Sequence, residues 1–222
     1  MLNFSNHHSL KRRFQGVLTV LAYHDPLEDL SNLVDQIIVG NLPPISSKTS
    51  AILLGLYQHQ DLTEISKNII DPEHLIITLA IALACREQLQ PRTLVKNLCD
   101  YLQPYPDLCS QLKLAHSLAE QGTSRTIARS SLNTDTLAFG IYCFLSTPFS
   151  WNLLNQNMEI AAIAAAYLGH IPNSTQNVRA IKLGMNLGDR LFAAWAGVYD
   201  LSNIPDDFYP ALKYPDRWSL GA

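Results

Sequence analysis

The sequence predicts an all-α protein, a single-domain orthogonal helical bundle, on three observations. Apolar residues recur at three- and four-residue spacing through most of the chain, which gathers them on one face of a 3.6-residue helix. No long alternation of apolar and polar residues competes with that pattern. Prolines at Pro43-Pro44, at Pro104 and Pro106, and at Pro172-Asn173 punctuate it.

Taken in order, a first helix is expected over 10–24. Leu27, Leu30, Val34, Ile37 and Ile38 mark a second, with Pro26 where a first helical turn tolerates proline. A third is expected over 48–59, followed by Asp61 and Glu64 at capping-box spacing. Asp71-Pro72-Glu73 is a start signal for the long apolar helix that runs to about Glu87. Further helices are expected near 91–102, 107–121, 134–146, 157–168 and 177–199. Asn152 to Leu154 and Ile204 to Tyr209 read as extended, each too short to carry a sheet. No internal repeat of the solenoid kind is present.

Composition narrows the function classes. With 222 residues the chain can bury a large common core, and 47% hydrophobic against 16% charged residues excludes a disordered chain. One domain over 1–222 is expected. A net charge of −3 leaves no footprint for nucleic acid, and the basic cluster Lys11-Arg12-Arg13 is too short to supply one. That cluster followed by apolar Phe14 to Tyr23 imitates a secretory leader, but Gln15 and Gly16 interrupt the apolar run and no small-x-small site follows. The apolar stretch Ile76 to Cys85 is too short to span a bilayer, so no membrane partner is expected. Cys85, Cys99, Cys109 and Cys143 form no Cys-x-x-Cys pair and lie mostly among apolar residues. They read as reduced core cysteines of a cytoplasmic protein.

Several separated segments carry a family likeness. Arg13-Phe14-Gln15-Gly16-Val17-Leu18-Thr19-Val20-Leu21-Ala22-Tyr23-His24-Asp25 is similar to Arg-Phe-x-Gly-x-Leu-x-x-Leu-Ala-x-Gly-Asp. Thr136 to Leu145 is similar to a Glu-Thr-Leu-Pro-Ala-Ala-Leu-Tyr-Ala-Phe-Leu helix. Asn152-Leu153 followed by Ile160-Ala161-Ala162-Ile163-Ala164 is similar to Asn-Leu-Gly-Gly-Asp-x-Asp-Thr and the Ile-Ala-Ala-Ile-Ala-Gly after it. These motifs belong to the ADP-ribosylglycohydrolases, the family of the dinitrogenase-reductase-activating glycohydrolases, which the chain resembles over 9–170. The resemblance implies an all-α hydrolase fold with two Mg²⁺ or Mn²⁺ ions held by an early Thr-Asp-Asp-Thr-type motif and the late Asp-x-Asp-Thr motif. Hard cations need several oxygen ligands, and a pair of ions needs bridging carboxylates.

The chain departs from the family at those motifs. The early one falls on Ser46, Ser47, Lys48 and Thr49, without either aspartate and with a lysine in one position. The late one falls on Gln156, Asn157, Met158 and Glu159, where a thioether and an amide replace the aspartates; a thioether is a poor ligand for Mg²⁺ or Mn²⁺. Asp25 is the one family-type acid kept. A lysine ammonium about 4 Å from a divalent ion would be repelled by roughly 8 kcal/mol at an effective dielectric of about 20. The expectation is therefore a vestigial site of Asp25, Ser46, Ser47, Lys48, Thr49, Gln156, Met158 and Glu159, with no metal or other cofactor. In it, Lys48 is expected to bond Asp25, Glu159 or both.

Each of these residues also has a purely structural account. Lys48 reads as a solvated side chain, Glu159 as an acid favoured at a helix start, Asp25 as a cap for the helix at Leu27, and His24 as an ordinary structural histidine. Asn133-Thr134-Asp135-Thr136 reads as a helix cap despite its Asp-Thr pair. Gly184-Met185-Asn186-Leu187-Gly188 reads as close helix packing rather than dimerisation. No Gly-x-Ser-x-Gly, His-Glu-x-x-His or phosphate-loop motif is present. The leading functional expectation is a pseudoenzyme of the ADP-ribosylglycohydrolase type, a noncatalytic binding or regulatory module for an ADP-ribose-like ligand or a protein partner. The alternatives are an active hydrolase that removes ADP-ribose from protein side chains, and a structural helical oligomer.

Overall fold

The structure, a computed structural model, describes residues 10–132, 136–170 and 177–197. Twelve helices account for the regular structure among them: α1 (Leu10–His24), α2 (Leu27–Ile38), α3 (Lys48–Tyr57), α4 (Leu62–Asn68), α5 (Pro72–Cys85), α6 (Pro91–Tyr101), α7 (Pro106–Glu120), α8 (Arg125–Leu132), α9 (Leu137–Ser146), α10 (Trp151–Leu154), α11 (Met158–Leu168) and α12 (Val178–Ala196). No strand occurs among the described residues, and no helix there is long and apolar enough to cross a membrane. Val17 and Ile163 belong to one buried cluster, together with residues of nearly every other helix.

Local chemistry places the helix starts. Pro72, Pro91 and Pro106 occupy first-turn positions, where a missing N–H removes no bond and the fixed φ suits a helix. Side chains of Ser47, Asp61, Asp71, Thr136, Asn157 and Asn177 each accept from a backbone N–H three residues on, satisfying a donor that the helix leaves open. The expected capping box at Asp61 forms only in half. Asp61 accepts from the Glu64 N–H at 2.9 Å, while the Glu64 carboxylate takes the Asn68 amide one turn on. Two short helices were not expected from the sequence: α8, and α10, whose residues read as extended. The first residues of the Asn133 to Thr136 cap, together with Pro172-Asn173 and Ile204 to Tyr209, lie outside the described residues.

Burial is organised around helices that have no polar face. Leu75 to Cys85 of α5 and Glu159 to Ala166 of α11 are buried without a break, as expected for helices surrounded by others. Helix α1 packs on α11 and α12, α11 on α5, and α5 on α3. Arg13, only 4% exposed, ties three of these together. Its guanidinium donates to the Ala166 and Tyr167 carbonyls at 2.6 and 3.0 Å, the open acceptors at the end of α11, and meets the Glu87 carboxylate at 3.5 Å. Glu87 follows α5 with φ of 60°, a left-handed conformation that costs a non-glycine residue about 1 kcal/mol or more.

Cys99 and Cys109 correct the expectation of four reduced thiols: they form a disulfide, with Cα atoms 5.5 Å apart. Cys99 lies in the last turn of α6 and Cys109 in the first turn of α7, so the short turn between these helices brings the two side chains together. Cys85 and Cys143 are free and buried, as expected. Burial pushes the Cys85 thiol up to about 12, which removes the thiolate that a nucleophile needs.

The Gly184 and Gly188 pair marks close packing. Both face α1, and a Cβ on Gly188 would stand 2.6 Å from the Gln15 Cα, while one on Gly184 would overlap the Thr19 backbone. Backbone cannot yield as a flexible side-chain tip can, so Gly184→Ala is expected to destabilise by about 1–3 kcal/mol or more. Urea unfolding of the variant against the parent measures this; an unchanged midpoint would refute the packing argument.

Where α12 meets α1 lies an aromatic group of Phe14, His59, Phe192 and Trp195. The His59 and Trp195 rings lie 4.8 Å apart, and Phe14 meets Phe192 edge to face at 5.6 Å. His59 is 3% exposed and donates from Nδ1 to the Leu56 carbonyl at 2.6 Å. Burial holds its pKa below the usual value; the Leu56 bond opposes this, and the Arg86 charge adds to it. The unfolded chain therefore binds a proton on His59 more readily than the folded one. The contribution of neutral His59 to stability is complete above about pH 6.5 and is lost as pH falls below it, until the folded-state pKa is passed. Unfolding free energies at about pH 7.5 and 5.5 should show this acid loss in the parent protein and a smaller loss in His59→Asn.

Candidate functional site

Three helix ends converge at one side of the bundle. Asp25 follows the last residue of α1, its N–H bonded to the Leu21 carbonyl at 2.8 Å. Helix α3 begins at Lys48 because Ser47 is extended and its hydroxyl accepts from the Ser50 N–H at 3.1 Å. Helix α11 begins at Met158 because the Asn157 side chain accepts from the Ile160 N–H at 3.0 Å. Lys48, Thr49 and Glu159 thus sit in first turns, where backbone N–H groups point outward and carry partial positive charge.

Two bonds join the ends. The Thr49 hydroxyl donates to Asp25 Oδ2 at 2.5 Å, and the Lys48 ammonium forms an ion pair with the Glu159 carboxylate. The Glu159 side chain is 6% exposed and that of Lys48 50%, so a desolvated carboxylate is neutralised by a cation that reaches in from solvent. The expected Lys48 contact is therefore made to Glu159 alone. Asp25 is held by Thr49 instead and does not cap α2, whose N-terminal position, Pro26, makes no side-chain bond.

The other expected site residues disperse. Ser46 is exposed and its hydroxyl lies 3.5 Å from the Pro44 carbonyl. Ser47 is spent on the cap and on a 2.8 Å contact with the Ser50 hydroxyl. The Gln156 amide oxygen accepts from Arg125 of α8 at 2.9 Å, and Met158 packs against the core. Two partners at this edge escaped the sequence reading. His24 Nε2 lies 2.9 Å from the Asn155 side-chain oxygen, and Arg125 takes Gln156. Each joins residues more than thirty positions apart, and no local pattern announces them.

Electrostatically the arrangement closes on itself. Two carboxylates face one ammonium and two helix N-termini, each of which counts as about half a positive charge. The local charge is thus near zero without a further cation. The donors present do not fit a pair of Mg²⁺ or Mn²⁺ ions: one carboxylate is taken by a hydroxyl, the other by an ammonium, the Gln156 amide is bonded to Arg125, and the Met158 thioether is a poor ligand for a hard cation. Among the described residues no three His, Cys, Asp or Glu side chains gather in a way that could hold a metal. No protein-family model, curated protein or solved structure matches the chain.

Lys48→Ala leaves Glu159 buried and unpaired. Because Lys48 is half exposed, the loss should fall between that of a surface pair and the 3–5 kcal/mol of a fully buried one, about 1–3 kcal/mol at pH 7. The same substitution in a Glu159→Gln background should cost less, and a double-mutant cycle by urea unfolding gives the coupling. Purely additive effects would mean that the pair contributes nothing.

Proposed function

We propose that this chain is a degenerate ADP-ribosylglycohydrolase-like protein whose dinuclear metal site has been replaced by internal pairing, and that it acts as a noncatalytic binding or regulatory module. The supporting observation is the Lys48–Glu159 ion pair beside the Thr49–Asp25 bond. Together they occupy the two carboxylates available for activating water, and among the described residues no three His, Cys, Asp or Glu side chains gather to bind a metal in their place. The motif likeness over 9–170 supplies the ligand class, ADP-ribose or a protein that carries it, and the all-helical architecture agrees with that likeness without deciding it.

An active hydrolase is the alternative reading, with Asp25 and Glu159 as its acids. It requires Thr49 and Lys48 to release them together. The structural-oligomer reading has the close-packed helices in its favour, but the Gly184 and Gly188 face is already used inside the chain, against α1. The two free buried thiols, Cys85 and Cys143, favour a cytoplasmic setting, whereas the Cys99–Cys109 disulfide counts against it, since cytosolic thiols are mostly kept reduced.

Turnover of ADP-ribosyl-arginine across a manganese titration separates these readings. The expected result is no turnover and no manganese-dependent rise in melting temperature, with ADP-ribose alone raising it through preferential binding to the folded state. Manganese-dependent turnover abolished by Asp25→Ala would establish the hydrolase. No response to ADP-ribose, with mass that rises with concentration in sedimentation, would establish the oligomer.

A further inference from the structure

A second feature lies away from the converging helix ends, between α6 and α7, and shares no residue with them. The two helices enclose an open groove of about 480 Å³, within the range of small-molecule sites, roughly 300–1,000 Å³. Arg92 and Lys96 line it one helical turn apart on α6, and Lys113 and His116 line it from α7. Its floor is apolar: Val95 and Leu102 are 3% and 1% exposed, and the Cys99–Cys109 disulfide links the walls.

The charge balance there is opposite to that of the whole protein. Net charge is −3, yet the groove presents three permanent cations and a single carboxylate, Asp100. Arg92, Lys96 and Lys113 are exposed, and none takes part in an ion pair among the described residues. His116 is the exception, 3.7 Å from Glu120. Three exposed cations from two neighbouring helices line one groove with a single carboxylate, so an anion bound there would lower their mutual repulsion. A phosphate dianion suits this placement better than a carboxylate, because its three terminal oxygens can be met by three separate donors, one of them a guanidinium fork. The disulfide keeps the two basic faces at a fixed spacing, which limits the ordering that binding would otherwise require.

We propose that the α6–α7 groove is a binding site for a small organic phosphate, with Arg92, Lys96 and Lys113 holding the phosphate and the Val95, Leu102 and disulfide floor taking the attached apolar body. The site is independent of the ADP-ribosylglycohydrolase reading and stands or falls separately from it.

Phenyl phosphate is the probe, titrated calorimetrically into the full chain with its disulfide intact. The expected result is saturable binding at one site, weakened by added salt. Affinity should fall at least about tenfold in Lys96→Glu/Lys113→Glu, since charge-assisted bonds to the phosphate are replaced by repulsion. Lys113→Gln, which removes one charge without reversing it, should give a smaller loss in the same direction and serves where the double variant folds poorly. Lys67→Glu, a single charge reversal on α4 outside the groove, should bind as the parent does. Absence of saturable heat, equal affinity in the parent and the Lys96 and Lys113 variants, or binding of phenol or inorganic phosphate as tight as that of phenyl phosphate would each overturn the proposal.

Discussion

Arg13 sets the register on which the rest of the molecule depends. It lies near the start of α1 and bonds the carbonyls at the end of α11, so these two buried helices must run in opposite directions. The far end of α1 then lies beside the beginning of α11, which is where Asp25 and Glu159 are found. A helix advances about 1.5 Å per residue, so Arg13 fixes from roughly 18 Å away which groups meet at the other end. The guanidinium is almost wholly desolvated, and its three acceptors belong to two different elements. Displacing it would leave a buried charge unpaired, a penalty too large for the bundle to absorb by local adjustment.

That register explains why the converging ends are neutral rather than acidic. Helix N-termini attract negative charge, and two of them pointing at one place would ordinarily favour a cluster of carboxylates or a bound anion. Here only two acids are present and a lysine enters from solvent. Lys48 occupies a helix start, where its own dipole disfavours it, and the arrangement holds because Glu159 lies on a second helix with the opposite preference. The unfavourable and favourable placements are coupled through one ion pair. Among the described residues Arg92, Lys96 and Lys113 of the α6–α7 groove form no ion pair, and the contrast between the two places is what distinguishes a closed electrostatic arrangement from an open one.

Much of this was legible in the chain itself. Helix starts were readable wherever a capping side chain or proline stands directly before an apolar run, as at Asp71-Pro72 and Asn157. Helix α8 was not, because only Ala128 and Leu132 of its eight residues are buried and its serines prefer turns. Helix α10 is a single turn, too short to show a period. The Lys48–Glu159 contact could be anticipated because the sequence resemblance puts both residues at one site, whereas Thr49 as the partner of Asp25 could not, since nothing in the sequence ranks one hydroxyl above its neighbours. The disulfide escaped notice because cysteines ten positions apart on two helices meet only once the turn between them is formed.

The pairing of α1 with α12 has a consequence for how the chain is made. Gln15 donates to Asp189 at 2.7 Å, a contact spanning 174 positions, and the glycine face that receives α1 is in the last described helix. Synthesis runs from the N-terminus, so α1 emerges well before α12, which covers it. At about 5–20 residues per second, the apolar surface of α1 waits on the order of ten seconds or more before α12 is available. During that interval α11 has not emerged for most of the time either, so Arg13 has no carbonyls to bond. The apolar face of α1 therefore stays uncovered by α11 and α12 while the residues between them are synthesised, and its native packing is completed only late.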